Sequence, residues 1–356
     1  MIPEHWRRAA LAPPAAWGAP LGTGVLRATP EDFEVDEILG FAAGGEGPHA
    51  LLRVRKRGAN TEWVARELAR AAGVKPFEVG FAGLKDRNAV TTQHFTVPRG
   101  KRAAEEFGGL KGEGYEVLAS AAHQRKLPRG ALEGNRFVIA VRGLACDPGH
   151  LRDRLARIAS GGVPNYFGEQ RFGREGGNLA QVLRAAEAQG GESSFRRRGR
   201  DDQRGFMLSA ARSLIFNAIL AERVEQGSWN RLSAGDVANL DGRGSVFAVD
   251  AADAELEQRC GALDVHPTAP LAGLRASLAT GAVLALEESV AAKFPQALSV
   301  IHAERMKPER RALRIRVRDL EHEYSGDTLR LRFALSAGSF ATTVLREIIA
   351  GAATGE

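Results

Sequence analysis

Apolar and polar residues alternate in several stretches of this chain, and each alternation predicts a strand with one buried face. Phe33, Val35 and Glu37 alternate directly after Thr29-Pro30-Glu31-Asp32, a turn-forming run. His49–Arg57 reads as a second strand. Phe137, Ile139 and Val141 alternate within residues 134–141, with Asn135 at the strand entrance. Near the C-terminus Leu313, Ile315 and Val317 alternate with Arg314, Arg316 and Arg318, and Leu329, Leu331, Phe333 and Leu335 alternate with Thr328, Arg330, Arg332 and Ala334. An apolar face backed by an Arg-rich face fits the edge of a nucleic-acid cleft, and equally an ordinary half-buried sheet, the more frequent arrangement.

Helical spacing takes over elsewhere. Thr61 can cap a helix running through Trp63, Val64, Leu68 and Ala72, closed by Gly73. Asp147-Pro148 opens another that reaches Ile158, with proline at the first helical position and Gly161-Gly162 beyond its end. Leu208, Ala211, Leu214, Ile215 and Ala218 share one face of a long helix over 208–224. A last helix is expected at 343–349. The first twenty residues read as an extended, proline-rich lead-in, and 227–280 gives no clear pattern. Residues 163–173, VPNYFGEQRFG, are dense in aromatics and glycine and read as a packed loop or a binding surface. Phe195 to Arg200 is a charge run, usually a solvated loop, though aromatics beside cations also suit RNA. The two β-rich ends make one domain, 1–161 with 309–356, and 162–308 makes an insertion.

Residues 79–98, VGFAGLKDRNAVTTQHFTVP, concentrate candidate chemistry. Two strand-like pieces flank Gly83-Leu84-Lys85-Asp86-Arg87-Asn88. Gly83 permits backbone conformations other residues resist. Lys85 and Arg87 flank Asp86, and nearby positive charge favours an ionised carboxylate. Such a group can be a nucleophile, a base or a metal ligand. From these residues alone, a hairpin turn whose Asp caps the backbone explains the stretch as well.

Composition narrows the classes. The 356 residues are 44% apolar, enough for a sizeable core. No run reaches the roughly 18 apolar residues of a membrane span, and no apolar segment near the N-terminus has signal-peptide length. A cytoplasmic protein is expected. Cys146 and Cys260 stand far apart and are read as buried, inert thiols, without a cysteine metal site. The net charge is +6, and Arg outnumbers Lys 41 to 8. That balance favours a polyanionic partner, although an Ala- and Gly-rich chain acquires arginine through codon bias as well.

Four stretches, GTGVLRATPEDF (22–33), GFAGLKDRNAVT (80–91), VPNYFGEQRFG (163–173) and AGSFATTVLRE (337–347), resemble in order and spacing the tRNA pseudouridine synthase D (TruD) family. Residues 130–137 and 208–220 are similar to it too. The resemblance implies an α+β fold: a pseudouridine synthase catalytic domain with a mixed, mainly antiparallel sheet, plus an inserted α/β TRUD domain at 162–308. It implies isomerisation of uridine-13 in tRNA to pseudouridine, with the base flipped out, Asp86 as nucleophile, and no metal or organic cofactor. Phe33, Asn135 and Phe340 match the positions that hold the target nucleotide, and Phe137 an aromatic lining of the base pocket. Arg27 stands where the family often has Lys, which leaves it an electrostatic role. Lys85 is a second candidate for that support. The implied partner is tRNA, with no membrane and no obligate protein partner.

Two other readings use the same residues. Arg-rich strand faces fit an RNA-binding or RNA-chaperone protein without chemistry, and Asp86 with Glu31 or Asp32 fits a metal-dependent nuclease. The catalytic reading predicts salt-sensitive tRNA binding through phosphate contacts. Filter binding across a salt series should give an affinity that falls steeply with log salt; an affinity independent of salt contradicts it.

Overall fold

The structure, a computed structural model, describes residues 2–189, 201–274 and 277–354. The charge run at 195–200 lies outside these residues. Two compact packing units divide the chain. One holds residues 21–152, 317–338 and 348–356, and the other residues 1–20, 153–316 and 339–347. These boundaries run differently from 162 and 308. The difference has a packing cause. Trp6, Ala9 and Ala10 are buried in one cluster with Tyr166, Phe216 and Leu313, so the N-terminal segment and residues beyond 308 join the core of the middle segment.

The first unit is built on an 11-stranded sheet among the described residues. Its main path runs Arg318–Ser325, Thr328–Ser336, Gly134–Arg142, Phe33–Ile38, Val90–Pro98, His49–Arg57, Tyr115–His123 and Lys111–Gly112. Pairing is antiparallel except between Phe33–Ile38 and Val90–Pro98, and between Gly22–Leu26 and Ile349–Thr354. The fold is α+β with a mixed, mainly antiparallel sheet. Alternation at 33–37, 49–57, 137–141 and 329–335 predicts these strands because side chains on alternate residues face the core. Phe33, Val35 and Glu37 are buried, as are Phe137, Ile139 and Val141.

Register then puts specific residues on one face. Lys56 pairs with Thr91, Thr91 with Val35, Val35 with Phe137, and Phe137 with Phe333. Residues opposite one another in a ladder share a face, so these five form a row across the buried side. One row along, Glu37 stands opposite Asn135, and Asn135 opposite Leu335. Arg55, Asp36 and Arg136 alternate with this set and belong to the other face, as do Arg330 and Arg332. The arginines of the 328–335 strand therefore point away from the side that carries Phe33 and Phe137, and the strand reads as the ordinary half-buried case.

The second unit packs helices around Asp201–Glu225, with a four-stranded antiparallel sheet of Val246–Ala248, Val237–Leu240, Val265–Leu271 and Glu309–Ala312. Residues 227–280, without a clear sequence pattern, supply three of those strands and the helix Ala254–Gly261. The helix segment Arg204–Glu225 is long and apolar enough to cross a membrane by length and composition, contrary to the sequence reading, but 67% of its apolar window is buried inside the protein, as in a core helix.

Several local expectations change. The lead-in contains a helix, Glu4–Leu11, too short for periodicity to reveal and anchored by the fully buried Trp6. The helix Thr61–Ala72 has Asn60 rather than Thr61 at its N-cap position, without a side-chain capping hydrogen bond, while Gly73 closes it at φ 71°. The final helix is only Ala341–Leu345, and the chain then enters Ile349–Thr354, paired with Gly22–Leu26. Arg314 is buried rather than solvated, because its guanidinium donates to the carbonyls of Cys260 and Val265 and to His266 Nδ1. Cys260 is buried, but Cys146 is partly exposed and does not fit a buried thiol.

Gly80 is where this packing is tightest beside the candidate site. A Cβ there would meet Thr96 Oγ1 at 2.4 Å and the Leu127 carbonyl oxygen at 2.6 Å. Backbone cannot yield as a side chain does, so Gly80→Ala should destabilise the protein by about 1–3 kcal/mol, read as a lowered urea midpoint with an unchanged slope.

Candidate active site

Asp86 sits on the loop between the paired strands Gly80–Phe81 and Val90–Pro98. Gly83 does not lie in the left-handed region there, so the loop does not depend on it for that conformation. Its shape comes instead from hydrogen bonds to the loop backbone. Thr61 Oγ1 accepts from the Lys85 amide at 3.0 Å and donates to Gln93 Oε1 at 2.8 Å. Gln93 Nε2 donates to the Gly83 carbonyl at 3.2 Å.

The strongest hold is Lys56, which sequence reasoning missed. Its ammonium is buried and donates to three carbonyls: Asp86 at 2.7 Å, Ala59 at 2.9 Å and Lys85 at 3.3 Å. Burial pushes its pKa down to about 8, and Lys85 adds to that, against the pull of Asp86. In the sequence Lys56 is one more cation in Arg53-Val54-Arg55-Lys56-Arg57, and only its even register with Val54 and Leu52, both buried, marks it as inward-facing.

The cation that meets the Asp86 carboxylate is Arg27. Its Nη2 donates to Asp86 Oδ2 at 2.6 Å. Asp86 is nearly half exposed, so the pair is worth about 1 kcal/mol or less in stability, and its role is geometric. Arg27 has φ 57°, a left-handed conformation uncommon for a residue with a side chain. Such outliers persist where the surroundings impose them and concentrate at functional sites. Its guanidinium also lies 4.1 Å from the centre of the Phe33 ring, and its Nε is buried without a hydrogen-bond partner.

Lys85 does not touch the Asp86 carboxylate. Its Nζ donates to Glu37 Oε2 at 3.0 Å. Burial raises the Glu37 pKa, but the His94 hydrogen bond and the Lys85 charge outweigh it and hold the carboxyl below its usual value. Arg87 turns to the Gly58 carbonyl. Of three cations considered for Asp86, the structure joins one to its side chain.

Phe33 meets Phe137 edge-on with ring centres 6.2 Å apart, and Phe137 stacks on Phe333 at 5.4 Å. Both are buried, so Phe137 supports Phe33 within a packed column and does not offer an open stacking face. Asn135 lies at the strand entrance with its Oδ1 buried and unpartnered. Phe340 belongs to the other packing unit, at the N-cap of Ala341–Leu345, half-buried against that unit's core. Glu31 and Asp32, alternatives as metal-ligand partners of Asp86, are each engaged by an arginine, Arg57 and Arg142.

The structure thus brings together a carboxylate on a fixed loop, an arginine joining it to an aromatic column and, two strands along the sheet, a buried amide oxygen without a partner. Comparison with known proteins gives the family. The family model of tRNA pseudouridine synthase D (TruD) matches residues 16–185 and 198–348. A tRNA pseudouridine synthase D of Xanthomonas campestris is 45% identical over 347 residues, and one of Methylococcus capsulatus 46% identical over 339, each alignment covering 94% of both chains. A crystal structure from Methanosarcina mazei assigned to the same enzyme covers 99% of each chain with a TM-score of 0.78; at 24% identity it bears on the fold alone. The chain belongs to the tRNA pseudouridine synthase D family.

Lys56 gives a stability test. Its folded pKa, about 8, lies below the ordinary lysine value of 10.5. Between those values the unfolded chain holds a proton that the folded chain has released, so raising the pH favours the fold. The penalty for burying the charge is complete below pH 8 and fades toward 10.5. Thermal melts from pH 7.5 to 10 should show a rise in stability relative to Lys56→Met; parallel curves for the two proteins refute the assignment.

Proposed function

We propose that this tRNA pseudouridine synthase, an isomerase by family, converts uridine-13 of tRNA to pseudouridine with Asp86 as the catalytic nucleophile. The observation that carries the proposal is the Arg27–Asp86 contact at 2.6 Å over the Phe33 ring. It joins the proposed nucleophile to the aromatic column through one guanidinium.

The reaction breaks the C1′–N1 bond, turns the uracil and forms C1′–C5; C5 loses its proton and N1 gains one. Nothing is oxidised, reduced or hydrolysed. The target base first leaves its stack, at a cost of a few kcal/mol. Phe33, backed by Phe137 and Phe333, gives the Arg27 guanidinium beside the extruded uracil a rigid apolar floor. A phenylalanine has no hydroxyl to divert protons. The unpartnered Asn135 Oδ1 is an acceptor for uracil N3–H or a ribose hydroxyl, and its amide supplies a donor. Asp86 adds to ribose C1′ or uracil C6 from a loop whose backbone is already held by Lys56, so little reorganisation accompanies attack. Arg27 aims the carboxylate and carries its counter-charge throughout. On the family pattern Phe340 is a further nucleotide-holding residue, and residues 1–161 with 309–356 are the catalytic domain, with 162–308 the inserted domain. No metal or organic cofactor takes part.

Asp86→Asn keeps the side-chain shape and removes the nucleophile. It should reduce pseudouridine formation at position 13 by at least about 10³-fold while tRNA affinity stays within a few-fold. Sequencing-based mapping of pseudouridine on unmodified transcript measures both site and extent; turnover retained by Asp86→Asn ends the nucleophile assignment.

A further inference from the structure

An open cleft of about 650 Å³ lies beside the candidate site, within the same packing unit. Its walls are one face of the Thr61–Ala72 helix, the 76–81 segment, and the basic turn 126–129. That volume falls in the usual range of ligand clefts, about 300–1,000 Å³. Among the described residues lining it, Arg66, Lys126 and Arg129 are cations, and Glu62 is the one acid.

Three features are costly for an unoccupied surface. Phe77 is 72% exposed, the largest exposure among the apolar residues singled out on this surface. Lys75 Nζ lies 5.9 Å from the centre of the ring, and the aromatic surface left exposed in this basic setting invites a planar ring. Arg129 places its guanidinium 3.6 Å from the centre of the Phe81 ring, and no carboxylate pairs with it among the described residues. Stacking fixes the plane while leaving its N–H edge for an anion. Lys126 donates to the Phe77 carbonyl at 2.5 Å, which spends one of three ammonium donors and fixes the cation beside the exposed ring.

The turn is rigid. The Leu127 amide donates to Thr96 Oγ1 at 2.8 Å, and the Gly130 amide to the Ala82 carbonyl at 2.7 Å. Ala82 is four residues before Asp86, so the cleft is tied to the strand that delivers the catalytic loop.

We propose that this cleft binds an unpaired nucleotide of the tRNA substrate outside the target position, its base on Phe77 and its phosphates on Arg66, Lys126 and Arg129. The inference rests on the functional reading above for the identity of the RNA. Net positive lining favours a nucleic acid over an acidic peptide because the exposed ring matches a base, for which a peptide carboxylate has no counterpart. The cleft contributes affinity and register, with Asp86 supplying the chemistry.

Unmodified tRNA transcript tests this through dissociation constants over a salt series, together with kcat at saturating tRNA. Phe77→Ala should weaken binding about 10-fold with kcat within two-fold and the salt slope unchanged, and Phe77→Trp should restore affinity. Arg129→Gln and Arg66→Gln should each weaken binding and make the slope of log K against log salt shallower by about one phosphate contact. Arg66 is exposed, with no hydrogen bond or ion pair to it among the described residues, so it remains informative if Arg129→Gln unfolds. Wild-type affinity and slope in correctly folded Phe77→Ala and Arg66→Gln overturn the proposal. A photo-crosslinking phenylalanine analogue at position 77 should yield an RNA adduct; an adduct with protein only also overturns it. If the binding effects appear but wild type makes no pseudouridine, the nucleotide cleft stands and the functional reading falls.

Discussion

A buried ammonium sets the geometry of the candidate site. Lys56 reaches from a central strand to the carbonyls of Ala59, Lys85 and Asp86. Carbonyl oxygens need donors when buried, and an unmet one costs about 1–3 kcal/mol. A loop turning over a sheet face has few donors available, because the ladder has consumed the backbone amides beneath it. One lysine supplies three. The cost is a charge in a poorly solvated place, visible in its lowered pKa. The return is that the Asp86 backbone is fixed by the sheet itself, and its side chain remains exposed for chemistry.

The neighbouring charges sort themselves around that anchor. Lys85 and Lys56 repel one another, and Lys85 finds its counter-charge in Glu37, a buried carboxylate also bound by the His94 amide. With Lys85 drawn toward Glu37, the Asp86 carboxylate is left to Arg27. The left-handed backbone at Arg27 and the ring of Phe33 beneath it aim the guanidinium across the turn. An arginine suits this position better than an amine: its flat, weakly hydrated group can stack on a ring and donate at its edge at once. Arginine at position 27 therefore supplies a charge and a stacking contact together.

Much of the sheet was legible in the sequence, because period-two alternation reports burial directly. Phe33, Val35 and Glu37 were readable as inward-facing, and so were Phe137 and Ile139. The Asp86 loop was visible as a polar turn between strands, but its supports were not. Lys56 sits in an Arg- and Lys-rich strand where composition predicts solvation, and its even spacing from Leu52 and Val54, with its register opposite Thr91, places it inside. Similarly, cations adjacent to Asp86 in sequence proved less relevant than one 59 residues away. Side chains on consecutive turn residues diverge, so sequence neighbourhood is a poor guide to charge pairing. The helix Glu4–Leu11 was hidden for another reason: eight residues give two turns, and its stability comes from Trp6 in the core. Such a helix follows from tertiary packing rather than propensity.

The arginine excess has a structural reading that neither codon bias nor phosphate binding covers. Arg154, Arg212, Arg223 and Arg314 are all buried. Arg154 donates to the carbonyls of Gly18, Ala19 and Glu347, Arg212 to those of Leu271 and Lys307, and Arg314 to those of Cys260 and Val265. Arg223 joins the Asp236 carboxylate to the Ser228 and Arg231 carbonyls. A guanidinium has five donors in a fixed plane, so one residue can satisfy several loop carbonyls that no strand or helix reaches. The second unit, rich in short elements and connections, needs this service repeatedly. Each arginine spent this way is removed from the surface, so the formal charge of +6 overstates the cation density offered to RNA. What matters for recognition is where the remaining exposed cations lie, and in the first unit Arg66, Lys126 and Arg129 converge on one cleft beside an exposed aromatic ring.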